Sequence, residues 1–277
     1  NPERWACIAC DQYTSEPEYW QAAYAFAGDA PSAIRLILPE NRLNESDALI
    51  PRIHAAMADY LSRALLVPAV DPGFILCERV TGSGARLGLV CSVDLEQYAY
   101  ERGSRPLIRP TEQTITDRLP PRLKIRRGAP LELTHIMLLI DDPDHTVLEP
   151  LQAAAASLRK VYDFELMMGG GHLTGWAVDR PELLASVDRS MTALMKSKGT
   201  NPLLLAVGDG NHSLATAKAR WNEIRETLTA AERATHPARF ALCEVVNIHD
   251  EALRFEPIHR IVTGATRAAL TADWQRS

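Results

Sequence analysis

The residues best suited to chemistry lie in one short stretch, Gly208-Asp209-Gly210-Asn211-His212-Ser213, which follows the apolar run Leu203-Leu204-Leu205-Ala206-Val207. An apolar strand that turns through glycine into a helix gathers free backbone N–H groups and the positive end of the helix dipole at one point. Such a point suits phosphate. Gly210 admits a left-handed backbone or the close approach of a ligand. Asp209 can bind Mg2+ or a hydroxyl, His212 can donate to a phosphate oxygen, and Ser213 can contact phosphate or cap the helix. The same residues also make an ordinary tight turn in which Asp209 and Asn211 only cap the helix, and residue types alone leave the two readings level. The stretch matches neither the Walker pattern nor the dinucleotide fingerprint.

Other segments carry weaker signals. In Arg109-Pro110-Thr111-Glu112-Gln113-Thr114, Arg109 can clamp an anion and Glu112 can act as a general base if it faces a cleft. Taken alone, the segment reads as an exposed loop. Phe255-Glu256-Pro257-Ile258-His259-Arg260 places His and Arg side by side after a strand, which suits an anion, although a lone His there is more often structural. Asp141-Asp142-Pro143-Asp144-His145 has a metal-site composition but reads better as a strand end, a Pro turn and a helix cap. Gly169-Gly170-Gly171-His172 reads as a hairpin tip. Cys7-Ile8-Ala9-Cys10 has CxxC spacing without a second Cys/His pair, and reads as a buried strand rather than a metal or redox site.

The elements that must position these residues alternate between β-branched apolar runs and helical patterns. Strands are predicted over 34–39, 74–80, 87–95, 135–140, 174–178, 203–207 and 240–248. Helices are predicted after Asn44-Glu45-Ser46-Asp47, over 148–162, from Pro181 to before Gly199, and from His212 to Ile224. Residues 80–86 read as a hairpin loop. Residues 103–131 are rich in Pro and Arg and too long for an ordinary connection, as functional segments often are.

Composition narrows the function classes. The 277 residues are 46% hydrophobic, enough for one large or two modest cores. With 30 basic against 35 acidic residues the net charge is −5, which argues against nucleic acid as a partner. The local exception is the cluster Arg118, Arg122, Lys124, Arg126, Arg127, read as a solvated face. The five cysteines form no disulfide framework. No apolar run reaches membrane-spanning length and no signal peptide opens the chain, so a cytoplasmic protein with no membrane partner is expected. The chain starts at Asn1 and stops abruptly at Ser277, which reads as a piece of a longer protein.

The segments taken together resemble bacterial domain-of-unknown-function family 1015, the SerC-proximal conserved hypothetical proteins. Members carry Asp-Gly-His-His-Arg between a strand and a helix, which corresponds to Asp209-Gly210-Asn211-His212-Ser213. Their Arg-Pro-His-Glu-x-Thr segment looks like Arg109-Pro110-Thr111-Glu112-Gln113-Thr114. Their Asp-Asp-Pro matches Asp141-Asp142-Pro143, and their Pro-Thr-His-Arg looks like Pro257-Ile258-His259-Arg260. The opening Ala9-Cys10-Asp11-Gln12-Tyr13-Thr14-Ser15-Glu16-Pro17 resembles one subgroup. The match runs in order along essentially the whole chain, and the family usually continues beyond residue 277.

The turn also resembles that of the ParB/sulfiredoxin-like fold, in which free serine kinases hold nucleotide phosphates and use an earlier Glu as base. That resemblance implies an α/β (mixed α+β) fold with mixed sheets and packed helices, containing a ParB/sulfiredoxin-like strand–turn–helix unit. It divides the chain into an N-terminal α/β part over 1–100 and a ParB/sulfiredoxin-like part over 101–277, packed as one unit. It implies transfer of phosphate from ATP or ADP, with Mg2+, to a hydroxylated metabolite, with free L-serine pointed to by the neighbouring serine-biosynthesis genes that the family's name records. Catalytic roles fall on Glu112, by its order along the chain, and on Asp209 and His212, with Asp209 also the metal ligand. Phosphate binding falls on Gly208, Gly210, Asn211, Ser213, Arg109, Thr114, His259 and Arg260, in a possible homodimer. Two departures stand out: Asn211 replaces the first His, and Ser213 replaces the Arg, a bidentate phosphate donor. A nucleotide-binding regulatory switch of the ParB-like type and a metabolite-binding protein with a decayed site are the alternatives.

Overall fold

A computed structural model of the chain describes residues 1–8, 13–133, 136–254 and 263–274. Its centre is a single mixed sheet of eight strands in the order β3-β7-β4-β8-β2-β1-β6-β5. The strands are β1 (Phe74–Thr81), β2 (Gly84–Asp94), β3 (Ile108–Pro110), β4 (Ile136–Ile140), β5 (Lys160–Glu165), β6 (His172–Val178), β7 (Leu205–Asp209) and β8 (Phe240–Asn247). The β3–β7 and β4–β8 pairs are parallel, and the other neighbours are antiparallel. Strands from both halves of the chain interleave, because β2 hydrogen-bonds β8.

The helices are α1 (Pro2–Trp5), α2 (Pro17–Ala27), α3 (Ser46–Ser62), α4 (Leu119–Arg126), α5 (Glu149–Ala154), α6 (Pro181–Ser197), α7 (Asn211–Arg225), α8 (Ala230–Thr235) and α9 (Arg267–Trp274). The largest core cluster joins Leu76, Leu89, Leu138, Val207 and Val245 of the sheet to Leu151 of α5, Val187 of α6 and Leu214 and Trp221 of α7. Each large apolar side chain so buried contributes about 1.5–3 kcal/mol. In β4, Ile136, Leu138 and Ile140 are wholly buried and Leu139 nearly so, which explains its unbroken apolar run. Two smaller clusters pack α2 around Trp20 and α3 around Ile53 and Met57.

Four expectations are corrected. Residues 34–39 form no strand: Ser32 caps a 3-10 turn over Ala33–Arg35, and Ile34 and Leu36 plug the two smaller clusters. The helix expected over 148–162 stops at Ala154, runs through a 3-10 turn to Ser157, and gives way to edge strand β5. The segment 103–131 is not irregular throughout, since it holds β3 and α4. Residues 6–8 are not in a strand, and Cys10 lies outside the described residues.

Among the described residues no helix is long and apolar enough to cross a membrane. The hairpin turn between β1 and β2 is tight, with Thr81 opposite Gly84. The basic cluster is tied into the fold by ion pairs of Lys124 with Asp47 on α3, Arg126 with Glu132, and Arg127 with Glu223 on α7. Burial pushes the thiol of Cys7 up to about 11 and those of Cys77 and Cys91 up to about 12, which is the behaviour of inert core cysteines.

Candidate active site

The turn between β7 and α7 is built by two glycines with different tasks. In the antiparallel β4–β7 ladder, Leu138 faces Val207 and Met137 faces Asp209, so Gly208 is an extra residue and β7 bulges there. A Cβ at Gly208 would lie 2.8 Å from Leu139 Cγ, closer than atoms pack, so only glycine lets the bulge sit on β4. Gly210 holds φ 82 and ψ 28, a left-handed conformation that ends the strand and opens α7. Its carbonyl accepts the first helical bond, from Leu214 N–H at 2.9 Å. The N–H groups of Asn211, His212 and Ser213 therefore precede any i−4 partner, and no side chain caps the helix.

Asp209 does not cap the helix. Its Oδ1 accepts from Gly210 N–H at 2.7 Å, within the turn, while the residue stays exposed. Asn211 is buried, and its Oδ1 has no hydrogen-bond partner. His212 Nε2 accepts from the Ile115 N–H at 3.4 Å. Ser213 is half-buried on the first turn of α7.

The segment after β3 is pinned to this turn at two points. Pro110 is level with Val207 in the parallel pair, and the Thr111 hydroxyl donates to the Val207 carbonyl at 2.7 Å. Four residues on, the Ile115–His212 contact closes the second tie. Glu112 and Gln113 lie between the two ties and are exposed, and among the described residues the Glu112 carboxylate has no partner. Thr114 is buried, and its hydroxyl sits beside that of Tyr98 with neither at hydrogen-bonding geometry. Burial pushes the Tyr98 phenol well above its usual range. A buried polar group without a partner costs about 1–3 kcal/mol. Three such atoms, on Tyr98, Thr114 and Asn211, flank the Ile115–His212 contact.

The structure thus brings together Glu112, Thr114, Gly208, Asp209, Gly210, Asn211, His212 and Ser213. It does not bring Arg109 to them. That guanidinium donates to the carbonyls of Pro106 at 2.8 Å, Asn201 at 3.3 Å and Pro202 at 3.1 Å, at the opposite end of β7. His259 and Arg260 lie outside the described residues. Thr111 and Tyr98 are additions that sequence reasoning missed. Tyr98 is placed by an isolated bridge to Ile108, a pairing that no local pattern announces. Asp141-Asp142-Pro143 is a structural turn, as expected despite its metal-site composition: the Asp142 carboxylate accepts from Thr146 and Val147.

Among the described residues no group of three or more His, Cys, Asp or Glu is arranged to hold a metal. No curated protein and no solved structure matches the chain significantly. Over residues 1–276 the chain matches the model of the family described as a protein of unknown function, DUF1015. The order of its segments, from the strand and Arg-Pro-x-Glu loop to the Asp-Gly turn, and a match over nearly every residue make the chain a member of the DUF1015 family.

Proposed function

We propose that the protein is a small-molecule kinase that transfers phosphate from ATP or ADP to a hydroxylated metabolite, free L-serine in the first instance. The observation that carries this reading is the double tie of the 111–115 segment to the β7–α7 turn. Between those ties the segment carries Glu112, an exposed carboxylate, next to a glycine turn with free helical N–H groups. Phosphoryl transfer asks chiefly for positioning and charge neutralisation, which such a pairing of base and cradle supplies.

The N–H groups of Asn211, His212 and Ser213, with the Ser213 hydroxyl, receive the phosphates. Asn211 Oδ1 and the Thr114 hydroxyl gain the partners they lack when the substrate is seated. Glu112 takes the proton of the substrate hydroxyl as that oxygen bonds to phosphorus, and the nucleoside phosphate leaves with the electrons of the broken P–O bond. Asp209 Oδ2, exposed and without a partner among the described residues, would hold Mg2+, which neutralises phosphate charge. A lone carboxylate fits that ion because Mg2+ usually takes one or two carboxylates and completes its shell from phosphates and water. The similarity of the turn to ParB/sulfiredoxin-like proteins belongs to this reading and rests on Asp209, Gly210 and His212.

The test is to incubate the protein with ATP or ADP, Mg2+ and pools of hydroxylated metabolites, serine included, and to look for a phosphorylated product by mass spectrometry. Glu112→Gln should abolish turnover while nucleotide still binds; survival of activity removes Glu112 as the base. A second reading is favoured by Ser213, which offers no guanidinium where the family has one, and by Arg109, which is engaged elsewhere. On that reading the turn binds a nucleotide or metabolite without turning it over, as a regulatory switch or a decayed site. It predicts nucleotide binding with no product from any pool.

A further inference from the structure

The opposite part of the sheet carries an arrangement that the proposed kinase site does not use. Arg79 on β1 and Arg86 on β2 are directly opposed in the antiparallel register. Like charges at such positions repel, and they persist where something answers the charge. Glu244 of β8 answers Arg86, whose Nη2 donates to both its carboxylate oxygens at 3.1 Å. The carboxylate reaches Arg86 across Gly88, where any side chain would collide with it. Among the described residues Arg79 meets only a carbonyl, that of Gly170, through Nε at 3.1 Å and Nη2 at 2.8 Å. Arg254 follows the turn after β8 and pairs with no carboxylate among the described residues.

Arg79, Arg86 and Arg254 line one cavity of about 260 Å3, together with the Thr81 and Ser83 hydroxyls of the β1–β2 turn. The Asp250 carboxylate is held by the Leu87 and Ala252 N–H groups at 3.0 and 2.8 Å. Among the described residues, three guanidinium groups and no carboxylate line the cavity. The buried Nε of Arg86 has no hydrogen-bond partner among the described residues. A guanidinium donor left unpaired beside a positive surplus is a site for an oxyanion, and forked donors with two hydroxyls suit a tetrahedral one.

We propose that this cavity binds a small phosphate monoester, with Arg79, Arg86 and Arg254 on the phosphate and the Thr81 and Ser83 hydroxyls at its rim. Both ion-pairing and hydrogen bonding hold Arg79 and Arg86 in place before the ligand arrives, so little ordering is needed on binding. The site stands independently of the kinase reading, since none of its residues belongs to the β7–α7 turn.

The test is calorimetric titration of inorganic phosphate, then of glycerol phosphate, into the intact chain at constant ionic strength in chloride. Both probes should bind. Arg254→Glu, an exposed change, should weaken both by about tenfold or more, one charge-assisted contact being lost and a repulsion gained. Arg79→Gln should weaken them similarly, with circular dichroism confirming the fold of each variant. Arg189→Glu, an equal change of charge at an exposed position of α6 outside both sites, should leave both affinities unchanged. The proposal is overturned if wild type binds neither probe, if Arg254→Glu binds as wild type does, or if Arg189→Glu weakens binding as much as Arg254→Glu. Binding of inorganic phosphate without glycerol phosphate overturns the monoester assignment.

Discussion

Strands β4 and β7 are neighbours in the sheet, and an aspartate at or just past the end of each leads into a turn toward a helix, yet the two aspartates lead opposite lives. After β4, Asp142 is fully buried and its carboxylate is saturated by the Thr146 N–H at 2.7 Å, the Thr146 hydroxyl at 3.1 Å and the Val147 N–H at 2.9 Å. Asn247 of β8 then clamps its main chain from both sides. After β7, Asp209 is exposed and meets only the N–H of the next residue. The difference teaches that an acidic residue after an apolar strand is structural when its oxygens are satisfied locally and available for chemistry when they are not.

Five experiments would break or sharpen that contrast. Asp142→Ala strands two buried N–H groups and a hydroxyl, so it should cost about 3 kcal/mol. A thermal melt should show it as a midpoint lowered by roughly 6–10 °C. If the midpoint barely moves, saturation is a poor guide to structural weight. Gly208→Ala comes next: its methyl must displace Leu139 under the bulge, at about 1–3 kcal/mol by denaturant titration. Thr111→Val removes one tie between the loop and the turn and should cost about 1 kcal/mol. Its larger effect should fall on phosphoryl transfer, because Glu112 is then held from one side only.

Asp209→Asn should change stability by less than about 1 kcal/mol, since the amide oxygen still accepts from Gly210. Any product formation should nevertheless be lost with it. The smallest effect is expected on the β5–β6 hairpin, where His172 lies between Glu165 at 2.7 Å and Asp163 at 2.6 Å. Hydrogen bonds to Glu165 and then Asp163 hold the His172 pKa above 6.5, and those from Lys160 and His172 hold Asp163 down at about 2. The histidine's contribution is therefore full below pH 6.5 and fades as pH rises through its folded value. The aspartate's is full above 3.8 and fades as pH falls toward about 2. NMR titration of the imidazole should find its midpoint above 6.5, and His172→Gln should flatten the alkaline side of the stability profile.

Much of the fold was legible from periodicity. Strands β1, β2, β7 and β8 and helix α6 announce themselves by long apolar or amphipathic runs whose burial follows their pattern. What was not legible was decided by contacts distant in sequence. Ile34 and Leu36 read as strand residues, but α2 and α3 offer them holes to fill, so the chain turns instead. Strand β5 was hidden because the Ala-rich segment before it favours helix through Ser157, and an edge strand needs little apolar signature. Helix α4 opens on Pro120-Pro121, which a helix accepts in its first turn although composition alone reads as loop. For the candidate site, the turn was visible and its tie to Glu112 was not, because that tie rests on one hydroxyl and one N–H across about a hundred residues.

The position of β8 has a consequence for how the chain is made. On one side of it lie β3, β7 and β4, on the other β2, β1, β6 and β5, and no other strand joins the two groups. Until residues 240–247 leave the ribosome, the nascent chain holds two half-sheets with bare edges at β4 and β2. Contacts of such long sequence separation form slowly, and open edges invite pairing with other chains. A chaperone that shields nascent chains would therefore find its work here late in synthesis, and a chain cut before Phe240 should aggregate rather than yield a shorter folded domain.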